Sequence, residues 1–194
     1  MAPPAPPLAL PLALRNRLAA LILESLRDER ARGILEALAA HREPDLAEWL
    51  GEAREHAAAV SARAARAARA LPRAPAPALE ELRGALADAA ALFDAGLYFE
   101  VHELLEPCWT AATGTAREAL QGLIQIAVGY QHLANGNLAG ARALLAEGGA
   151  KIAGRAIEGI DLGRFAEAVR ATITRVGGEF DWTGVPRFPR GETE

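Results

Sequence analysis

Residues 71–78 read Leu-Pro-Arg-Ala-Pro-Ala-Pro-Ala, and three prolines in so short a span forbid a continuous helix there. On both sides of that segment apolar residues recur at helical spacing, so Pro72 to Pro77 reads as a linker between two helical regions. Alanine and leucine, strong helix formers, dominate the 51% hydrophobic content, whereas aromatics contribute only 5%. No stretch alternates apolar and polar residues as a half-buried strand does. The expected fold class is therefore all-α: a helical bundle of stacked antiparallel helix hairpins, with an extra N-terminal helical pair. The expected divisions are a flexible Pro-rich tail over 1–13, a helical extension over 14–71, the linker over 72–77, a helical domain over 78–176 and a C-terminal tail over 177–194.

Several function classes drop out on charge and hydropathy. Residues 1–77 carry 11 basic against 9 acidic side chains and the remainder 10 against 16, which argues against nucleic acid as the main partner. Arginines interrupt every long apolar run, so no membrane span of about 20 apolar residues is expected. Met1 to Leu14 is apolar but broken by Pro3, Pro4, Pro6, Pro7 and Pro11 and has no early positive charge, unlike a secretory leader. Cys108 is the only cysteine, which excludes an internal disulfide and points to a reducing cytoplasm.

In the first region Leu14, Leu18, Leu21, Ile22 and Leu26 set a helical pattern that Ile34, Leu35 and Leu38 continue past Gly33, as one interrupted helix or two short ones. Asp45 with Glu48 three residues on reads as a capping box opening a helix to about Leu71. Arg63, Arg66 and Arg69 line one stripe of it, expected to be solvated rather than a phosphate or acidic-partner site. Beyond the linker, helices are expected over about 78–95, ending at Gly96, and over 98–111. Further helices run from a Thr115 cap with Glu118 to Ala134, from an Asn137 cap to about Ala146, over 148–157, and from an Asp161 cap to about Val176. Residues 96–105 and 136–145 form a loose internal repeat in which His102 and Glu106 of the first copy are matched by Arg142 and Ala146 of the second. Stacking of the hairpins therefore does not require the His-Glu pair.

On a helical wheel Tyr98, Val101, Leu104, Leu105, Cys108 and Trp109 share an apolar arc, and Glu100 and Glu103 fall opposite, toward water. His102 and Glu106 lie on the border of that arc, one turn apart. Pro107 removes a backbone hydrogen bond beside them, so a local kink is expected. The next helix is apolar around most of its circumference, apart from a narrow stripe of Gln121, Gln125 and His132. Were that stripe to face His102 and Glu106, a polar pocket lined by Tyr98, Trp109, Gln121 and Gln125 would form, with Gly122 and Gly129 letting the backbones approach.

Three segments carry a resemblance: Phe93 to Trp109, Gln121 to Gln125, and His132 to Ala141. They are similar to the signature of a bacterial and archaeal family, domain of unknown function 309, over roughly residues 80–155. In that family the spacing His, three residues, Glu, two residues, Trp or Tyr is suspected of metal binding, and His102, Glu106 and Trp109 occupy it here. An imidazole and a carboxylate suit zinc, manganese, iron or nickel. His132 is the expected third ligand, with Gln121 and Gln125 as hydrogen-bond partners that orient the imidazole. A zinc-protease motif is excluded, because it needs a second His where Glu106 stands. Three readings stay open: a divalent-metal-binding protein, an interaction module whose His-Glu pair is structural and which docks another protein or self-associates, and a metal-dependent hydrolase.

Overall fold

A computed structural model of the chain describes residues 10–42, 45–72, 82–177 and 179–191. It is an all-α fold, and its described residues divide into two compact units, 10–72 and 82–191. Among the described residues no helix is long and apolar enough to cross a membrane.

The first unit holds α1 (Leu12–Glu24), α2 (Glu29–Ala39), α3 (Asp45–Leu50) and α4 (Ala57–Ala70), the last preceded by a 3₁₀ turn over Arg54–His56. Leu18, Ile22, Leu35, Leu38, Leu46, Val60, Ala64 and Ala67 are fully buried and form its core. The break between α1 and α2 falls at Ser25 to Asp28, ahead of Gly33, because Asp28 Oδ1 accepts from Ala31 N at 2.7 Å and so starts a new helix. The single helix expected over 45–71 is two, since α3 stops before Gly51, which has φ +58°. Arg63 also departs from expectation. It is buried rather than solvated, because α4 packs that face inward against α2.

The second unit stacks α5 (Leu82–Asp94), α6 (Tyr98–Ala111), α7 (Gly114–Ala134), α8 (Leu138–Ile152) and α9 (Gly163–Ile173). Each of α5 to α8 packs against the helix that follows it. The turns after α5 and α7 are the same device. Leu97 N donates to Leu92 O at 2.9 Å and Asn137 N to His132 O at 2.9 Å, across Gly96 and Gly136, both at φ +75°. These are six-to-one helix terminations that need a left-handed residue, which is why glycine recurs in the internal repeat. Asn137 Oδ1 then accepts from Gly140 N at 3.0 Å and caps α8.

Two sequence expectations change here, whereas α6 spans the expected residues. The side chain of Thr115 does not cap α7, which begins at Gly114 after Thr113. A single helix, α8, runs to Ile152. The remainder of the 148–157 segment leads into a miniature antiparallel hairpin, Ala156–Ile157 with Ile160–Asp161, turning on Glu158 and Gly159 at φ +50° and +76°. The helix α6 continues through Pro107 to Ala111.

Residues 179–191 form a strap over the second unit. Phe188 is buried and its ring lies 5.3 Å from Phe93 and 5.7 Å from Phe165, and Phe93 meets Tyr98 and Tyr130 edge-on at 5.1 and 5.5 Å. Tyr130 donates to Thr172 Oγ1 at 3.2 Å, which ties α7 to α9, and burial pushes its phenol well above the usual range. Asp94 anchors the strap. Its carboxylate accepts from Phe188 N at 3.0 Å and pairs with Arg187 at 3.1 Å and Arg190 at 2.7 Å.

Candidate metal centre

Helix α6 presents its polar residues in three different settings. Glu100 is completely buried, contrary to the wheel, which turned it to water. Glu106 is exposed, so it bears none of the desolvation cost expected of an inward carboxylate. His102 lies between these extremes, with its side chain 27% exposed and its ring 6.1 Å from that of Phe99.

Glu103 is the residue that sequence reasoning missed. The wheel directs its Cβ away from His102, yet its Oε1 lies 3.0 Å from His102 Nδ1. A long carboxylate side chain can swing back across the angle between neighbouring helix positions, which a wheel of Cβ directions does not represent. The contact lacks the alignment of a hydrogen bond, and Nδ1 is shut off from solvent without a hydrogen-bond partner. Donor atoms of His102, Glu103 and Glu106 all lie within 4.8 Å of one another.

The Gln121, Gln125 and His132 stripe faces elsewhere. Gln125 Nε2 donates to Glu147 on α8 at 2.7 Å, and Gln121 lines a surface cleft with Glu118, Glu147, Lys151 and Arg155. His132 Nδ1 lies 2.7 Å from Asn137 Nδ2, while the Asn137 oxygen is held by Gly140 N. That orientation makes Nδ1 an acceptor and leaves the proton of the neutral ring on Nε2. The stripe therefore looks along the α7–α8 edge, and the structure does not gather His132 with His102. Gly122 and Gly129 follow the same logic, because what they let approach is α8: a Cβ on Gly122 would lie 2.6 Å from Ile152 Cγ2, and one on Gly129 2.9 Å from Leu145 Cγ.

Tyr98, expected to line a pocket, sits fully buried in the aromatic core, stacked on Tyr130 at 5.3 Å and on Trp182 at 6.3 Å. Trp109 is half-buried. Arg117 of α7 covers its ring at 4.2 Å and donates to the carbonyls of Trp109, Thr110 and Ala112 at 2.7, 3.2 and 3.3 Å, capping the end of α6. The indole Nε1 of Trp109 is buried and has no hydrogen-bond partner. Cys108 is half-buried, and desolvation raises its thiol pKa.

The family model described as Domain of unknown function (DUF309) matches residues 86–144. Those residues are a DUF309 domain. The match runs from α5 into α8 and includes all three of the converging side chains. No curated protein and no solved structure matches the chain. The DUF309 assignment carries no reaction with it, so a functional reading rests on the chemistry of α6.

Proposed function

We propose that the DUF309 domain binds a divalent cation on α6 through His102 Nδ1 and the carboxylates of Glu103 and Glu106. The supporting observation is the unbonded Nδ1 3.0 Å from Glu103 Oε1. Two donors each about 2.1 Å from one ion stand roughly 3 Å apart in tetrahedral or octahedral geometry, so the spacing is that of neighbours in a coordination sphere. Glu106, one turn on, supplies a third donor from the open side. One imidazole and two carboxylates suit zinc, manganese, iron or nickel. Three protein donors leave a coordination position for an exogenous ligand, which a hydrolytic role for the domain would require.

The test is isothermal titration of untagged protein with zinc, manganese and nickel chlorides. The expected result is one ion per chain, with affinity falling at least tenfold in His102→Ala, Glu103→Gln and Glu106→Gln and unchanged in His132→Ala. A wild-type protein that takes up no ion, or a His102→Ala variant that binds as well as wild type, would overturn the reading. Loss of binding in His132→Ala would instead restore that residue as a ligand.

A further inference from the structure

We propose that a second, separate site in the same unit binds the phosphate group of a small phosphorylated molecule. It is a cleft of about 610 Å³ lined by Arg83 of α5, Arg164 of α9, Arg190 of the strap, Asp161, and the hairpin and strap residues Gly159, Ile160 and Gly191. Three arginines and one aspartate therefore line the same cleft. One oxygen of that carboxylate, Asp161 Oδ1, accepts from Gly163 N at 2.8 Å, and the arginines outnumber it three to one.

The three arginines come from distant parts of the chain, so their convergence is a property of the fold and not of one basic run. Arg190 is held in place by Asp94 Oδ2 at 2.7 Å. Arg83 lies along the strap backbone, where a Cβ on Gly191 would come 3.3 Å from one of its Nη atoms. Neither Arg83 nor Arg164 forms a hydrogen bond or ion pair among the described residues, which leaves both forks free for an incoming anion.

Arg164 brings a second uncompensated charge to the cleft. It stands in the first turn of α9, next to the start of the helix, where the Asp161 carboxylate already takes the Gly163 N–H. An anion in the cleft offsets the charges of Arg83 and Arg164, which have no ion-pair partner among the described residues. Planar guanidinium forks pair with phosphate oxygens two at a time, and the cleft has room for an organic group beyond the phosphate.

The experiment titrates pyrophosphate into the full chain at low ionic strength by calorimetry, with vesicles of anionic phospholipid as a parallel arm. Saturable one-site binding is expected, weakened at least tenfold in Arg83→Ala and in Arg164→Ala. Binding should be unchanged in Arg170→Ala, an exposed arginine at the other end of α9. Both test arginines are exposed, and thermal melts matching wild type confirm that each variant folds. Three outcomes overturn the proposal: no saturable binding, equal weakening by Arg170→Ala, or binding to vesicles without binding to pyrophosphate. Binding that appears only in a chain ending at Gly191 would likewise overturn it, because the occupant would then be the segment that carries Glu192 and Glu194.

Discussion

Gly122 and Gly148 meet backbone to backbone: a Cβ on Gly148 would stand 2.6 Å from the Gly122 carbonyl oxygen, and one on Gly122 2.9 Å from the Gly148 carbonyl. Neither obstacle is the tip of a flexible side chain, so α7 and α8 must separate to admit a methyl group. Gly122→Ala and Gly148→Ala are each expected to destabilise the protein by about 1–3 kcal/mol through overpacking. The check is the urea midpoint of each variant.

The opposite sign is expected at Gly33. It lies inside α2, is exposed, and a Cβ there would meet nothing within 4 Å. Gly33→Ala should stabilise by about 0.5–1 kcal/mol, because alanine restricts the unfolded chain and favours the helix. A lower urea midpoint for this variant would show that the site contains an obstacle.

Asp94 holds the strap through three partners while its own side chain is only 7% exposed. Removing the carboxylate leaves Phe188 N without its acceptor and takes one ion-pair partner from each of Arg187 and Arg190. Asp94→Ala is expected to cost about 1–3 kcal/mol, since the arginines are half-exposed and partly screened. Proteolysis between Trp182 and Arg190 should accelerate in parallel. If cleavage there is no faster than in wild type, the clamp does not hold the strap.

The parts of the fold that were legible in sequence are those governed by local chemistry. The glycine turns at Gly96 and Gly136 and the Asn137 cap depend on residues a few positions apart, and the structure realises each. The strands at Ala156–Ile157 and Ile160–Asp161 are two residues long, too short to show any alternation. Arg63 and Glu100 are buried by neighbouring elements, which a wheel cannot see. The candidate site has the same limit. A wheel gives angles within one helix but does not say which neighbour a stripe will meet, so the Gln125 side chain was directed at α6 and is found on α8. Asp94 stood in plain view beside Phe93, but its partners lie more than 90 positions away.

Cys108 offers a test of packing along α6. Burial raises the pKa of its thiol, so little thiolate forms near neutrality. Reaction with a disulfide reagent at pH 7 should be at least ten times slower than for the urea-unfolded chain, and the rate should climb as pH approaches and passes 9. Equal rates folded and unfolded would place the sulfur in open solvent.

Asp181 sets the low-pH behaviour of the strap. Its carboxylate accepts from Thr183 Oγ1 at 2.7 Å and Thr183 N at 2.9 Å, and these bonds, with Arg175 nearby, hold it below the usual aspartate range. A carboxyl group with a depressed pKa in the folded state contributes stability at pH values above its unfolded value, about 3.9, and loses it as pH falls through the folded value. Asp181→Ala should therefore melt below wild type by a constant margin from pH 7 to about 5, and the margin should shrink and close on further acidification. Trp182, stacked on Tyr98, reports the change by fluorescence. A margin that stays the same at every pH would mean that the charge of Asp181 contributes nothing to holding this turn.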